Sequence, residues 1–178
     1  IILSASITFA VSVQNRAPEL DVWVNGADTP TLMNVFFFAR AFDLDGEVRA
    51  LDWDFGDGKR AQGPNVVHQY ARPGRYNATF TAVDDDAASN TTLIKITVRN
   101  RPPQSRWAGP AQARAGASYT FSSESSDPDG NVTDWAWDFG DGATPRGVSV
   151  AHTFSKPGKY NVTLRVWDDR GDDASYSS

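Results

Sequence analysis

Hydrophobic and polar residues alternate along this chain in short bursts, the period-two signature of β-strands that bury one face. Leu51, Trp53 and Phe55 alternate with Asp52 and Asp54; Trp135, Trp137 and Phe139 stand opposite Asp134, Ala136 and Asp138. Glycine, proline and aspartate turn signals separate the bursts. The pattern predicts strands over 20–24, 33–41, 47–55, 65–70, 75–83 and 92–98, and again near 105–108, 117–123, 131–139, 148–154 and 159–167. Phe36-Phe37-Phe38 reads as a run buried on both sides. The chain is all-β.

The second set of strands is a copy of the first. Trp53-Asp54-Phe55-Gly56-Asp57-Gly58 returns unchanged as Trp137-Asp138-Phe139-Gly140-Asp141-Gly142, 84 residues on. The same offset links Phe37 to Phe121, Asp43 to Asp127, His68 to His152, Tyr76-Asn77 to Tyr160-Asn161 and Asp84-Asp85 to Asp168-Asp169. One module used twice is therefore expected, over residues 15–99 and 100–178. The tryptophans of the hexapeptide read as core, and Gly-Asp-Gly as a turn that needs φ > 0.

Both ends break the repeat. Ile7, Phe9, Val11 and Val13 alternate with small polar residues, so 1–14 reads as a strand resembling 93–98, the closing strand of a module. After Asp168-Asp169 no counterpart of Leu93–Val98 follows, and the second module is expected to lack its last strand. Two readings compete. In one, Ile7, Phe9, Val11 and Val13 form a subunit interface, completing the second module of an identical subunit head to tail and building a filament by strand donation. In the other, the chain is an excerpt of a longer array.

Composition narrows the class. A net charge of −5 with no basic stripe argues against a nucleic-acid partner. The apolar stretch at 1–13 is too short to span a bilayer, so no membrane insertion is expected. There is no cysteine, hence no disulfide and no thiolate metal site. Asn77, Asn90, Asn131 and Asn161 each begin an Asn-x-Thr sequon, which points to an exported, glycosylated protein at the cell surface.

The ordered motifs Asp43-Leu44-Asp45-Gly46, Trp53–Gly58, His68-Gln69-Tyr70, Pro73-Gly74-Arg75-Tyr76-Asn77-Ala78-Thr79 and Asp84-Asp85, with their copies, resemble the PKD (polycystic kidney disease) domain over residues 15–178. The resemblance implies tandem immunoglobulin-like β-sandwiches, usually extracellular, acting as spacers, adhesion or interaction modules. It also implies calcium, with Asn15, Asp43, Asp45 and Asp84 as ligands in the first copy and Asn100, Asp127, Asp129 and Asp168 in the second; no other cofactor is expected. Carboxylate and amide oxygens are the hard donors Ca²⁺ prefers.

Enzymatic chemistry is not expected. His68 and His152 lie in strands with no nucleophile beside them and read as core hydrogen-bonding groups. Arg170-Gly171-Asp172 reads as a turn. Trp23 and Trp107, also 84 apart, are either packed against the linkers or edge aromatics open to a glycan or another surface protein. The expected function is a non-catalytic structural or adhesive subunit of a cell-surface filament; the alternative is a spacer or glycan- or collagen-binding module of a longer secreted hydrolase or surface protein.

Overall fold

The computed structural model describes residues 10–178. Fourteen strands run in the order β1 Glu19–Asn25, β2 Asp28–Pro30, β3 Asn34–Phe42, β4 Val48–Asp54, β5 Arg60–Gln62, β6 Asn65–Gln69, β7 Gly74–Asp84, β8 Ser89–Arg99, β9 Trp107–Ala108, β10 Ser118–Ser123, β11 Val132–Asp138, β12 Ser149–Thr153, β13 Thr163–Asp168 and β14 Asp173–Ser177. Contacts divide the chain into two units. One holds residues up to Ala27, Asn34–His68 and Arg75–Ile96; the other holds Asp28–Met33, Gln69–Gly74 and Thr97–Ser178. The unit boundary departs from the repeat boundary because β2 pairs in parallel with the end of β8, Thr97–Arg99.

The first unit contains the β1-β3-β6 sheet and most of the β2-β8-β7-β4-β5 sheet. Side chains from their inner faces meet in an aromatic core. Phe37 of β3 packs 5.2 Å from Trp53 of β4 and 5.1 Å from Phe55, and Trp53 lies 4.7 Å from Phe80 of β7. All four are at most 2% exposed. The second unit sets the β12-β10-β9 sheet against β11-β13-β14 around Phe121, Trp137, Phe139, Phe154 and Leu164. Both units are sandwiches because each strand alternates apolar-in with polar-out, and two such faces are needed to exclude water.

Four sequence expectations need correction. The second module does have a closing strand: β14 pairs antiparallel with β13 from Thr163↔Ser177 to Trp167↔Asp173. Asp173-Ala174-Ser175-Tyr176-Ser177 offers only Ala174 and Tyr176 as an apolar alternation, and it is held by the backbone ladder, the Arg165–Asp173 ion pair (2.8 Å) and a Thr163–Ser177 hydroxyl bond (2.8 Å). Second, the entering segment is not a strand where it is described. Val11 and Val13 are 83% and 87% exposed and lie outside every strand, while Ile7 and Phe9 lie outside the described residues. β14 occupies the positions equivalent to Ser89–Leu93, the first part of β8.

Third, Phe36-Phe37-Phe38 is not buried on both sides. Phe37 is fully buried, Phe36 is 39% exposed and Phe38 is half-buried, the plain alternation of a sheet with one wet face. Fourth, the strand predicted over 159–167 starts at Thr163, although Val162 still exchanges backbone hydrogen bonds with Ser178 (3.2 and 3.1 Å).

The repeated hexapeptide ties the two sheets of each unit together. Trp53 and Trp137 donate their indole N–H to the Gly63 and Gly147 carbonyls at 3.0 and 2.9 Å. Asp54 and Asp138 accept from the Gly56 and Gly140 N–H, closing the turn. Asp57 accepts from Lys59 N–H with one oxygen and meets His68 Nε2 at 2.8 Å with the other; Asp141, Ala143 and His152 repeat this at 2.9 Å. An ionised carboxylate only accepts, so Nε2 carries the proton. His68 and His152 also stack on Phe55 and Phe139, with ring centroids 4.0 and 3.9 Å apart.

The glycines of this turn differ in what they require. Gly56 and Gly58 both hold left-handed backbone, φ 77° and 87°, but a Cβ on Gly56 would lie 2.5 Å from the Asn77 carbonyl oxygen and one on Gly58 would meet nothing. Gly58→Ala is therefore expected to cost about 1 kcal/mol, the price of a left-handed alanine, and Gly56→Ala a further ~1–3 kcal/mol for the overlap. Equilibrium urea unfolding followed by tryptophan fluorescence checks the ranking; equal losses for the two would refute it.

Candidate functional site

The first-copy residues implied as ligands come together where the entering segment meets the loops after β3 and β7. Asn15 Nδ2 donates to Asp84 Oδ2 at 3.0 Å, Arg16 N–H to Asp45 Oδ2 at 3.2 Å, and Asp45 N–H to Asp43 Oδ1 at 3.4 Å. Asp84, 3% exposed, also accepts the N–H groups of Asp86 and Ala88 at 3.0 and 2.8 Å. The loop carboxylates thus replace the ladder partners that the backbone loses at strand ends.

The second copy repeats the arrangement. Asn100 Nδ2 donates to Asp168 Oδ2 (2.7 Å), Arg101 N–H to Asp129 Oδ2 (3.3 Å) and Asp129 N–H to Asp127 Oδ1 (3.0 Å). Asp168 Oδ1 takes the Arg170 and Asp172 N–H groups. Here the structure adds a carboxylate that sequence reasoning missed: Asp172 Oδ2 accepts from Asn100 Nδ2 at 2.8 Å. The residue 84 positions earlier is Ala88, so the repeat gave no signal for it. The same contacts turn Arg170-Gly171-Asp172 onto its own module, with Arg170 paired to Asp169 at 3.2 Å.

Several oxygens in these clusters are buried without a partner: Asp43 Oδ2, Asp127 Oδ2, Asp129 Oδ1 and Asn100 Oδ1. Gly46 and Gly130 let the carboxylates close in. A Cβ on Gly46 would lie 2.3 Å from Asp85 Oδ1 and 2.7 Å from Asp43 Oδ2, and one on Gly130 would lie 2.3 Å from Asp169 Oδ1 and 2.9 Å from Asp127 Oδ2. Oxygen-only donors, unpartnered buried oxygens and a glycine floor fit a hard cation. As the side chains stand, no three acidic or imidazole groups among the described residues converge on one centre; the carboxylates point at N–H groups instead.

Electrostatics follows the crowding. Burial pushes the Asp43 carboxyl above its ordinary range; the Asp45 N–H opposes this, and the Asp45 and Asp84 carboxylates reinforce it. Asp127 is raised in the same way by burial and by Asp129 and Asp168. Burial also works against ionised Asp168, but the Arg170 N–H, the Asn100 amide and the Asp172 N–H outweigh it and hold its pKa low.

The two equivalent tryptophans part company. Trp23 pairs with Phe38, whereas Trp107 pairs with Ser123, one position beyond the equivalent of Phe38. A one-residue change of register turns a side chain to the opposite face. Trp23 is accordingly 43% exposed and stacked on Phe38 at 5.5 Å, while Trp107 packs inward, 5.8 Å from Phe121 and 6.2 Å from Trp137. All four sequon asparagines, Asn77, Asn90, Asn131 and Asn161, are exposed, and Asn90 also spends its amide N–H on the Pro18 carbonyl at 2.9 Å. Among the described residues no helix is long and apolar enough to cross a membrane.

A family model described as PKD domain matches residues 15–98 and 100–178. Among curated proteins, the pre-pro-metalloprotease PrtV of Vibrio cholerae is 34% identical over 131 residues, 72% of this chain and 14% of the relative. The microbial collagenase of Vibrio alginolyticus is 39% identical over 75 residues, 42% of this chain and 9% of the relative. The chain thus spans a small part of the curated relatives it matches. Among solved structures, the PKD1 domain of Vibrio anguillarum Epp is 33% identical, covering 48% of this chain and 96% of that one, with a TM-score of 0.42.

The raised carboxyls give a signed expectation. An acid whose pKa rises on folding stabilises the fold while protonated and costs stability once pH passes its raised value. In chelator at pH 7, Asp43→Asn and Asp127→Asn should each raise the melting temperature, since the amide keeps the Oδ1 acceptor and removes the buried charge. Below about pH 4 the gain should shrink, because the wild-type carboxyls then carry protons too. Thermal melts at both pH values test this; a fall in melting temperature at pH 7 would contradict it.

Proposed function

The chain belongs to the PKD domain family, and from that premise we propose that it is a non-catalytic spacer, stiffened by calcium, within a longer exported protein. PKD domains are non-catalytic modules, so its contribution is mechanical or adhesive rather than chemical. The relatives that share its sequence include a pre-pro-metalloprotease and collagenases, of which it matches only a fraction. That supports an accessory module of a longer secreted protein over a filament subunit. Export agrees with the exposed sequon asparagines Asn77, Asn90, Asn131 and Asn161.

One observation carries the stiffening: in each module the aspartate cluster fastens the entering segment, through Asn15 and Arg16 in the first and Asn100 and Arg101 in the second. Fastening a linker removes rotations that would otherwise make it a flexible joint. Calcium would be held by Asn15, Asp43, Asp45 and Asp84, and by Asn100, Asp127, Asp129 and Asp168 with Asp172 as an added oxygen. It would supply the positive charge that lets these crowded carboxylates ionise together. The chain's own part is to hold the carboxylates in reach and keep Asp43 and Asp127 out of water.

Calorimetric titration is expected to give two calcium sites, the second module's tighter because it has one more carboxylate. At calcium a hundredfold above the dissociation constant the fold should gain about 2.7 kcal/mol. Asp84→Asn should abolish one site and Asp168→Asn the other. No heat of binding and no shift in melting temperature between calcium and chelator would remove the ion from this proposal.

A further inference from the structure

Asparagine stands directly before glycine at one place in this chain, Asn25-Gly26; every other asparagine is followed by a residue that carries a side chain. The pair lies where the chain leaves β1, in the β1-β3-β6 sheet, for β2, in the β2-β8-β7-β4-β5 sheet. Asn25 is the last residue of β1, paired with Phe36, and it is exposed. Gly26 follows outside any strand with left-handed backbone, φ 94°. Even a Cβ there would meet its neighbours, Asn34 O at 3.5 Å and Val35 Cα at 3.7 Å, only at ordinary contact distance. Among the described residues the Asn25 carboxamide has no hydrogen-bond partner, and no turn hydrogen bond holds the Gly26 N–H. Side-chain amide and backbone nitrogen are thus both left free to meet.

We propose that this pair modifies itself with age, converting Asn25 to a mixture of isoaspartate and aspartate. The Gly26 nitrogen, once a base has taken its proton, attacks Asn25 Cγ. The C–N bond of the side-chain amide breaks and ammonia leaves, closing a five-membered succinimide. One water then opens the ring. Breaking the bond from the side-chain carbonyl to the Gly26 nitrogen returns aspartate. Breaking the bond from the Asn25 main-chain carbonyl leaves isoaspartate, whose main chain runs through the side-chain carbons. No oxidant or reductant is needed. Glycine makes the nitrogen reachable, since it has no Cβ to shield it and its backbone turns freely.

The rest of the chain supplies the controls. Asp45-Gly46, Asp57-Gly58, Asp129-Gly130 and Asp141-Gly142 would close the same ring. An ionised carboxylate resists attack, however, and each of these is tied down. Asp57 and Asp141 meet their histidines and turn N–H groups, Asp45 takes the Arg16 N–H, and Asp129 takes the Thr31 hydroxyl and the Arg101 N–H. In the second repeat the places of Asn25 and Gly26 are taken by Gly109 and Pro110, which cannot react. The fold therefore does not require the pair. Its conversion changes two things. Either product adds a negative charge to a chain already at −5 and extends the acidic row of Glu19 and Asp21 on β1. Isoaspartate also lengthens the main chain where β1 gives way to β2. The closing Asn25↔Phe36 pair is then lost, while β2 stays fixed by its ladder with β8 and the Asp28–Arg99 ion pair (2.9 Å).

Incubation of the full chain at pH 8 and 37 °C, followed by intact mass and peptide mapping, tests this. A gain of about one dalton is expected on the peptide carrying Asn25 alone, resolved by chromatography into two products of equal mass. It should be at least tenfold slower at pH 6, where less of the attacking nitrogen is deprotonated, and within tenfold of the rate in a free Trp23–Asp28 peptide. Asn25→Gln should abolish the gain and Gly26→Ala should slow it at least tenfold. Should the alanine unfold the chain at its left-handed position, the glutamine variant, at an exposed site, keeps the test. Aged protein enriched in isoaspartate should melt lower than fresh protein, whereas Asn25→Asp, which copies the charge alone, should melt like fresh protein. No gain over several weeks at pH 8, a rate a hundredfold below that of the free peptide, or a gain spread over other asparagines overturns the inference. An isoaspartate form that melts like Asn25→Asp overturns its effect on the end of β1.

Discussion

The contact on which both sandwiches depend is an aspartate-to-histidine bond across their two sheets. Asp57 lies in the turn between β4 and β5, and His68 lies on β6 of the opposite sheet; Asp141 and His152 occupy the same places in the second unit. A chain without cysteine has no covalent link between its layers, and small sandwiches have little core to spare. The pair supplies a directional link where a disulfide would otherwise serve, and the histidine doubles as core by stacking on Phe55 or Phe139. Its partner carboxylate is held in turn by a backbone N–H, so the turn, the bond and the ring stack form together. A buried polar group so fully engaged specifies one alignment of the sheets, since any slip would leave the carboxylate unpaired.

That arrangement was largely legible in the sequence because it is written twice. Trp53 to Gly58 and Trp137 to Gly142 are identical, and the period carried His68 to His152 and each aspartate of the loops to its equivalent. What stayed hidden breaks the repeat or the hydrophobic alternation. Asp172 has alanine in its equivalent place. β14 offers only Ala174 and Tyr176 among polar residues, too little to read as a strand, and owes its position to the ladder with β13. At the front, Val11 and Val13 carry the apolar alternation of a strand yet stand in solvent outside every strand of the described residues. Periodicity records what a segment is able to bury, and pairing decides whether it does.

The aspartate clusters and the hexapeptide solve opposite problems with the same residue type. In the hexapeptide turns Asp54, Asp57 and Asp141 each meet hydrogen-bond partners on both oxygens. In the loop clusters Asp43 and Asp127 each keep one oxygen buried and unpartnered, facing other carboxylates. Such a site costs the bare fold stability, and proteins retain costs of this kind chiefly where something is bound or switched. The strain is local to the segment that enters each module, the place where added rigidity would matter most to a spacer.

Comparison of the two repeats separates what the fold demands from what it merely permits. Residues kept in both, the hexapeptide, the histidine, the Asp-x-Asp-Gly loop and the Asp-Asp turn, each have a bond or a close contact that explains them. Residues that differ cannot be required by a fold that both copies achieve. Trp23 and Trp107 show that even an identical residue can fall on either side of this line, since one register step moves it from an exposed sheet to a core. The outer face of β3 falls wholly among the permitted differences: one copy spends it on phenylalanine, the other on serine and threonine. Exposed phenylalanine raises the risk of aggregation and gives the first copy nothing that the second needs in order to fold.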